Sequence, residues 1–279
     1  MNEYEDPQAR LQQILHSPSY RLAYKDIEFL TSPRLRAARM ELEFLKPELL
    51  FEQEGLASTI VVFGSTRIVE PALAQQRLDQ ARARRADAPD DPLRQRAVAQ
   101  AERLLARSHY YQIARQFAAL VGEAAREGKC DYLIMTGGGP GIMEAANRGA
   151  CEAGARSIGL NVSLPLEQQP NAYITPNLCF QFHYFAIRKF HFLLRAMALV
   201  VLPGGFGTLD ELFEVLTLRQ TGRMQHIPVI LVGREFWQRV VDFQYLADEG
   251  TIADADLDLF RFVETAEEAW EIIRKFHRL

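Results

Sequence analysis

Two glycine-rich stretches of the sequence have the composition of phosphate-binding turns. TGGGPGIMEAANRGA covers residues 136–150 and LPGGFGTLDELFEVL covers residues 202–216, and each joins an apolar run to a helical pattern. Such a turn directs free backbone N–H groups and the positive end of a helix dipole toward one point, and the missing side chains let an anion approach. The two stretches therefore predict a phosphate site. Its predicted ligands are Gly138, Gly139, Gly141, Gly204, Gly205, Gly207 and Thr208.

Either turn alone is equally well explained as a tight connection between a strand and a helix. Two such turns on separate strands of one sheet favour a ligand, because ligands of open α/β sheets bind beyond the carboxyl ends of the strands. Thr208 adds a hydroxyl group that can cap the helix or donate a hydrogen bond to a phosphate. The pair of turns is therefore interpreted as a binding feature.

The type of phosphate ligand is restricted by what the turns lack. Gly139 and Gly141 form G-x-G, but Glu144 occupies the third position, where dinucleotide-binding sequences have glycine. The strand that follows ends at Asn161 and offers no acid to hold a ribose hydroxyl. The sequence also has no G-x-x-x-x-G-K-[ST] motif, so a mononucleotide or a sugar phosphate fits better. Ser65, after the first predicted strand, and Glu144 are further candidates for substrate contacts.

Glu211 and Arg188 are the charged residues with the strongest case for chemistry. Glu211 is predicted in the first turn of the helix after the second glycine-rich stretch, where the helix dipole alone favours an acid. A carboxylate at the mouth of a phosphate site repels the ligand unless it has a role there. Arg188 lies on a predicted apolar helix, residues 185–198, where a charge needs an internal partner, a ligand or an exit to water. Asp210, next to Glu211, is predicted to point elsewhere.

The elements that must position these residues alternate between strand and helix. Short apolar runs, typical of strands buried on both faces, are separated by amphipathic helical patterns. Six runs are predicted as strands, with 177–185 as a candidate seventh: 58–65, 131–138, 155–162, 198–205, 226–233 and 260–265. The alternation predicts an α/β fold with a doubly wound, Rossmann-like parallel sheet that has helices on both faces.

Two segments depart from this alternation. Residues 1–56 are predicted to form a helical N-terminal extension, and residues 57–279 the Rossmann-like nucleotide-binding domain. Within that domain, residues 70–108 are rich in Ala, Gln and Arg and contain a proline-bearing turn at 86–92, which predicts an inserted helical hairpin. The hairpin is interpreted as a solvated surface element, with oligomer contacts or a lid as the alternatives.

Composition narrows the classes of partner. The chain has 279 residues, 24% of them charged, and a formal net charge of −4, which disfavours a general binder of nucleic acids or membrane surfaces. Its three cysteines are widely spaced and form no C-x-x-C, so they predict a reducing compartment and no metal site. The first residues lack the apolar segment of a signal peptide, and no apolar run is long enough for a membrane span, so a cytoplasmic protein is expected.

Taken together, these motifs resemble the Lonely Guy (LOG) family. The resemblance is carried by residues 137–144, by Arg188-Lys189 and by residues 203–211, which form a complete P-G-G-x-G-T-x-x-E motif. LOG proteins are cytokinin-activating nucleoside 5′-monophosphate phosphoribohydrolases that were long mislabelled as lysine decarboxylases. The resemblance covers roughly residues 58–275. The N-terminal helices and the insertion resemble the longer bacterial branch, for which AMP is a common candidate substrate.

The resemblance implies hydrolysis of the bond between a base and ribose 5-phosphate, by a homodimer or larger homo-oligomer that uses no cofactor. It also implies that Arg188 and Glu211 are the catalytic pair. The residues suit this chemistry, because a carboxylate near the anomeric carbon can stabilise oxocarbenium charge or activate a water. A lysine decarboxylase would need a pyridoxal-bearing lysine, and Lys189, the only lysine near the predicted site, is predicted to face away.

A non-catalytic carrier of a nucleotide or of the molybdenum cofactor is the alternative function, because LOG-like folds also serve as carriers. Such a carrier would keep the glycine-rich turns but would not need Glu211 for turnover. For an enzyme, the sequence leaves isopentenyladenine, adenine and pyrimidine open as the base. The helix at 185–198 is apolar around most of its circumference, which predicts that a second copy of the chain covers one side.

Overall fold

The computed structural model describes residues 6–163 and 169–279, which divide into a first unit that ends at Leu50 and a second unit, Phe51–Leu279. Three helices open the chain, namely α1 (Pro7–His16), α2 (Ile27–Thr31) and α3 (Arg36–Gln53). Asp6 and Asp26 cap the first two, because their carboxylates accept hydrogen bonds from backbone N–H groups in the first helical turn. The helical character predicted for the N-terminal extension is confirmed.

A parallel sheet of seven strands forms the centre of the second unit. The strands are β1 (Ser58–Phe63), β2 (Tyr132–Thr136), β3 (Ser157–Val162), β4 (Cys179–Phe182), β5 (Ala196–Val201), β6 (Val229–Val232) and β7 (Arg261–Val263). Their order across the sheet is β4-β3-β2-β1-β5-β6-β7, and every neighbouring pair is parallel. The predicted doubly wound sheet is confirmed, and the candidate segment 177–185 contains β4.

Helices cover both faces of this sheet. Those that follow the insertion are α6 (His109–Arg126), α7 (Ile142–Glu152), α8 (Phe185–Leu194), α9 (Phe206–Gln220), α10 (Arg234–Val240), α11 (Phe243–Asp248) and α12 (Ala266–His277). On one face, Ile60 and Val62 of β1 share a buried cluster with apolar residues of α6, α7 and α12. Alternate residues face the other side, where the ring of Phe63 packs edge-on against Phe192 of α8 at 4.8 Å.

The predicted insertion is a hairpin of two helices, α4 (Pro71–Ala86) and α5 (Pro92–Ala106). Each begins with a proline, whose fixed φ suits the first helical position. An ion pair of 3.0 Å between Arg82 and Glu102 links the two helices across their exposed surfaces. The mostly polar sequence of the hairpin therefore has a simple physical reason, since little of it is buried.

The helix predicted at 185–198 is shorter than expected, and this prediction was wrong at its C-terminal end. The structure ends α8 at Leu194 and begins β5 at Ala196. Arg195 has already left the helical conformation, and its carbonyl accepts a hydrogen bond of 2.8 Å from Thr59 N–H on the neighbouring strand. Sheet pairing therefore takes over from the helical periodicity, because the segment AMALVV completes the buried sheet.

The direction of the chain through the sheet reverses at β1, which lies between β2 and β5. The loops that leave β1 and β5 touch each other, since Ser65 N–H donates to the Pro203 carbonyl at 3.0 Å. A crevice at such a reversal is the usual ligand position in open α/β sheets. No helix in the described part of the chain is long and apolar enough to cross a membrane.

Candidate active site

A cleft of about 500 Å³ lies beyond the carboxyl ends of β1 and β5, a size that suits a small-molecule ligand. It is lined by Phe63, Gly64, Ser65, Thr66, Arg67, Gly137, Met143, Phe185, Arg188, Gly205, Phe206, Gly207, Thr208, Asp210 and Glu211. Six of the predicted site residues therefore meet in one cleft: Ser65, Arg188, Gly205, Gly207, Thr208 and Glu211. Gly138, Gly139, Gly141, Gly204 and Glu144 lie outside this lining.

The N-terminus of α9 opens into the cleft. Its first intrahelical hydrogen bond runs from Leu209 N–H to the Gly205 carbonyl at 3.0 Å, so the three preceding N–H groups have no acceptor within the helix. A Cβ atom added to Gly205 or Gly207 would meet open space. Packing therefore does not require glycine at these positions, and the open space would let a ligand approach the backbone closely.

Gly204 has a different role from its two neighbours in the motif. The side chain of Thr208 lies directly over it, and a Cβ at Gly204 would stand 2.1 Å from Thr208 Oγ1. Glycine at this position lets the threonine turn in and line the cleft, where its side chain is buried. Gly204 thus positions Thr208, and its assignment as a direct phosphate ligand stays a prediction.

Internal contacts occupy much of the first glycine-rich turn. Gly138, at a φ of +72°, donates its N–H to Thr136 Oγ1 at 3.0 Å and accepts from Asn171 N–H at 2.9 Å. Gly141, at a φ of +73°, lets the loop after β1 approach, since a Cβ there would stand 2.4 Å from the Ser65 carbonyl oxygen. The carbonyl of Gly139 accepts from the Asn171 side chain. These contacts hold the two loops together, and phosphate binding by this turn stays a prediction.

Glu144 lies on α7, beside the cleft. Its carboxylate accepts a hydrogen bond of 3.0 Å from the hydroxyl of Tyr111 on α6. Burial is the main cause that raises the pKa of Tyr111 to about 12, and the Glu144 charge adds to it. The glutamate therefore has a structural partner, and its predicted contact with substrate stays a prediction.

Glu211 is a buried carboxylate in the second turn of α9. The sequence predicted Glu211 in the first turn of the helix, which was wrong because α9 already begins at Phe206. The helix dipole therefore does not by itself account for an acid at this position. The residue is 7% exposed yet lines the cleft. Burial raises the pKa of Glu211 to about 7, against the opposing effect of the positive charges of Lys189 and Arg188. A carboxyl group with this pKa can change protonation near neutral pH.

Arg188 reaches the cleft from α8. Its Nε donates to the Leu160 carbonyl at 2.7 Å, and its guanidinium lies 5.0 Å from the ring centre of Phe192. Gly137 makes room for it, since a Cβ there would stand 2.6 Å from an Arg188 terminal nitrogen. Burial lowers the pKa of Arg188, and the nearby Glu211 charge opposes that shift. The arginine is thus held in place at the cleft lining, close enough to Glu211 for their charges to interact.

Lys189 does not face away from the site, so that prediction was wrong. Its ammonium group lies 2.9 Å from Asp210, 3.5 Å from Glu211 and 2.8 Å from Glu214. Burial lowers the pKa of Lys189, but its hydrogen bonds to Glu214 and Asp210 outweigh that effect and raise it overall. The amine therefore stays protonated at neutral pH, which does not suit a lysine that must form an imine.

Sequence reasoning missed several residues of the cleft. Arg67 and Thr66 follow β1, while Met143, Phe185 and Phe206 contribute apolar surface, with Phe206 itself 92% exposed. Thr66 and Arg67 could have been found from the sequence, because they directly follow β1. Loops that follow the strands on either side of a reversal in strand order line the ligand crevice. The apolar group has no local signal, since each member resembles an ordinary core or surface residue. Among the described residues, no three His, Cys, Asp or Glu side chains are grouped to hold a metal ion.

Known sequences are similar to the second half of this chain and to the segments that carry the site. A family model described as "Possible lysine decarboxylase" matches residues 143–273, which include Arg188 and Glu211. The probable cytokinin riboside 5′-monophosphate phosphoribohydrolase LOGL3 of Oryza sativa subsp. japonica is 26% identical over 156 residues, covering 52% of this chain and 68% of the relative. LOG7 of Arabidopsis thaliana, a cytokinin riboside 5′-monophosphate phosphoribohydrolase, is 27% identical over 165 residues, covering 58% and 72%. Over these residues the chain is similar to LOG phosphoribohydrolases.

The chain is also similar to solved structures. The molybdenum cofactor carrier protein of Chlamydomonas reinhardtii is 16% identical, with 80% of this chain and 99% of that chain covered and a TM-score of 0.46. At this distance the comparison says nothing about what the cleft of the present chain binds.

The raised pKa of Glu211 predicts a pH-dependent loss of stability. The Glu211 carboxyl group has its ordinary pKa of 4.5 in the unfolded chain and a pKa of about 7 in the folded protein. Between pH 4.5 and pH 7 the folded protein therefore binds more protons than the unfolded chain. The free energy of unfolding should therefore fall as the pH rises through this range, by about 3 kcal/mol from this group. Glu211→Gln should accordingly stabilise the protein above the folded pKa and change its stability little below pH 4.5.

Urea unfolding of the wild type and of Glu211→Gln at a pH on each side of this range measures the effect. Glu123→Gln, at an exposed position on α6, is the matched control and should show the same difference from wild type at both. An equal effect of Glu211→Gln at the two pH values would contradict a buried carboxyl group with a raised pKa.

Proposed function

We propose that this protein hydrolyses the N-glycosidic bond of a purine nucleoside 5′-monophosphate, of the cytokinin type or AMP, to give the free base and ribose 5-phosphate. The observation that carries the proposal is the position of Glu211, a buried carboxylate that lines the same cleft as the N-terminus of α9. The family relationship supports it, because the named relatives are phosphoribohydrolases of cytokinin riboside 5′-monophosphate.

The phosphate binds, in this proposal, at the N-terminus of α9. Three N–H groups without helical acceptors, the partial positive charge of the helix end and the Thr208 hydroxyl all suit an anion. Arg67, in the loop after β1, brings a full positive charge to the same cleft. With the phosphate held there, the ribose extends along α9 toward the second turn, where Glu211 lies.

The reaction breaks the bond between C1′ of the ribose and a nitrogen of the base, and the departing nitrogen keeps the electron pair and takes up a proton. Positive charge develops on the ribose, and the water that attacks C1′ gives up a proton as the new C–O bond forms. An ionised Glu211 stabilises the developing charge, or accepts the proton of the water, as carboxylates do in glycosidases. Both roles require the anionic form, so turnover should rise as the pH passes the Glu211 pKa of about 7.

Arg188 acts in this proposal as the partner of Glu211. Its fixed position against the Leu160 carbonyl and the Phe192 ring leaves it little freedom to move. It therefore orients the substrate in the cleft and, as a neighbouring positive charge, favours the ionised form of the carboxylate. Phe185 and Phe206 provide exposed aromatic surface at the cleft for a flat base. The proposed reaction needs no cofactor.

The experiment that tests this function is incubation of the protein with a panel of nucleoside 5′-monophosphates, followed by chromatography for the free bases. Isopentenyladenosine monophosphate, AMP and a pyrimidine monophosphate separate the base preferences. Release of adenine or isopentenyladenine together with ribose 5-phosphate is the expected result. Tight binding of a nucleotide without release of any base would instead favour a non-catalytic carrier.

We further propose that the protein is a homodimer or a larger homo-oligomer. Phe185, Phe190 and Leu194 of α8 are exposed in the single chain, and such an apolar helix surface favours cover by a second copy. Light scattering at micromolar concentration should therefore give a mass that is a multiple of 31.8 kDa. Phe190→Glu should lower the measured mass, while Glu123→Gln, the same surface control as above, should not. A monomer mass for the wild type would contradict this proposal.

A further inference from the structure

Lys189 connects α8 to three carboxylates that lie within little more than one turn of α9. Its Nζ is 2.8 Å from Glu214 Oε2 and 2.9 Å from Asp210 Oδ2, both hydrogen-bonding distances. The same nitrogen is 3.5 Å from Glu211 Oε2, close enough for an ion pair. The side chains of Lys189 and Glu211 are only 17% and 9% exposed, so water screens the interaction between these two charges weakly.

The two outer carboxylates hold the lysine in place. Asp210 and Glu214 are four residues apart and therefore lie on the same side of the helix. An ammonium group has three donors. Asp210, which precedes Glu211, and Glu214, which follows it, use two of them. The third donor is then available toward Glu211, whose carboxylate is the least exposed of the three.

Without the lysine, α9 would carry three negative charges next to the proposed substrate phosphate. The charged groups around Glu211 are Arg188 and Lys189 on α8, Asp210 and Glu214 on α9, and Arg67 in the loop after β1. Arg188 and Arg67 together do not balance the three carboxylates. Removal of Lys189 would therefore leave the buried Glu211 carboxylate next to Asp210 and Glu214 without the cation that pairs with all three, which favours uptake of a proton.

We propose that Lys189 is a positioning residue for the proposed cleavage: anchored by Asp210 and Glu214, it fixes the charge and the orientation of the Glu211 carboxylate at the cleft. The contact runs from its ammonium group to Oε2 of that carboxylate, at 3.5 Å. Lys189 itself does not line the cleft, so it acts through Glu211 rather than on the substrate. This inference rests on the proposed function.

The first test compares the pH dependence of kcat/KM for the wild type and Lys189→Met. An opposite charge within this distance lowers the pKa of a carboxyl group by about 1–3 units, so its removal should move the acidic limb of the profile up by about one pH unit. At neutral pH this shift should lower kcat/KM roughly fivefold, and KM should change little because the substrate contacts remain. An unmoved limb would overturn the proposal.

Three further variants separate charge from packing. Lys189→Arg keeps the charge and should leave the limb close to that of the wild type. In Glu214→Gln the lysine keeps its ion pair with Asp210, while a like charge is removed from the surroundings of Glu211, so the limb should move down, opposite to Lys189→Met. Lys129→Met removes an exposed lysine that pairs with Glu127 and should move nothing. Shifts of Lys189→Met and Glu214→Gln in the same direction would contradict an electrostatic role.

A readout that does not depend on turnover keeps this inference distinct from the proposed function. NMR titration of the protein labelled with ¹³C at the glutamate carboxyl carbons, with Glu211→Gln to assign the signal, follows the protonation of Glu211 directly. The midpoint should rise in Lys189→Met by the same amount as the kinetic limb. A raised midpoint in a protein that cleaves no nucleotide would refute the proposed function alone, whereas an unchanged midpoint would refute the role of Lys189.

Discussion

Replacing Glu211 by alanine should lower kcat for release of the free base by about 10²–10⁴-fold, the usual contribution of a carboxylate that acts on protons or charge in the transition state. Substrate binding should be nearly unchanged, because the proposed phosphate contacts lie one turn earlier on α9. Chromatographic rates give kcat, and calorimetric titration gives the dissociation constant for the intact nucleotide. The expected pattern is thus a loss in the chemical step alone.

Asp210→Ala is the matched control for this result. Asp210 is adjacent to Glu211 and also lines the cleft, but its side chain is 61% exposed and its pairing with Lys189 is shared with Glu214. Its loss should therefore cost far less than the loss of Glu211. Wild-type rates in Glu211→Ala would remove that residue from the mechanism. Equal losses in the two variants would point to general disturbance of α9 instead.

The 5′-phosphate should be required for efficient cleavage, with AMP preferred over adenosine by at least about 10²-fold in kcat/KM. The N–H groups at the start of α9 and the Thr208 hydroxyl suit an anion and gain little from a neutral 5′-hydroxyl. Each charge-assisted hydrogen bond that is lost costs about 1.5–3 kcal/mol, so the loss of two already accounts for this ratio. A nucleoside would enter the cleft without a fixed distance between its C1′ and Glu211.

The comparison needs both base types, namely AMP with adenosine and isopentenyladenosine monophosphate with its riboside, at equal concentrations. Gly207→Ala sharpens it, because the added methyl group would enter open space at the cleft without striking the protein. This variant should fold normally and lose activity toward the phosphorylated substrates only. Comparable cleavage of phosphorylated and unphosphorylated substrates by the wild type would contradict a phosphate site at α9.

The sheet could be predicted from the sequence because burial on both faces leaves a direct mark on composition. The runs that became β1, β2 and β5 are continuous and apolar, as strands covered on both sides must be. The boundary between α8 and β5 could not be predicted in the same way. Its residues are apolar in either conformation, and the hydrogen bond from Thr59 to Arg195 that decides the matter joins positions far apart in the chain.

The candidate site was predicted in part, and the errors have identifiable causes. The motif around Gly205 and Gly207 was interpretable because a missing side chain without a packing reason points to a ligand. In the first glycine-rich turn, glycine instead allows close packing between loops, as at Gly141. Composition alone does not distinguish a glycine that makes room for a ligand from one that makes room for another loop. Lys189 was wrongly predicted to face away from the site, because adjacent helical residues point in different directions. A lysine side chain is long enough to reach back to Glu211, which also interacts with Arg188.

The central position of β1 also has a consequence for how the chain is made. Phe63 pairs with Val201, 138 positions later in the sequence, whereas the pairing of β1 with β2 involves nearer residues such as Ser58 and Tyr132. At translation rates of about 5–20 residues per second, β1 emerges from the ribosome roughly 7–30 s before β5. During that interval one edge of the apolar strand β1 lacks its native partner β5, and open edges of this kind recruit foreign strands. The nascent chain is therefore most exposed to aggregation, and most dependent on chaperones, before the second half of its own cleft exists.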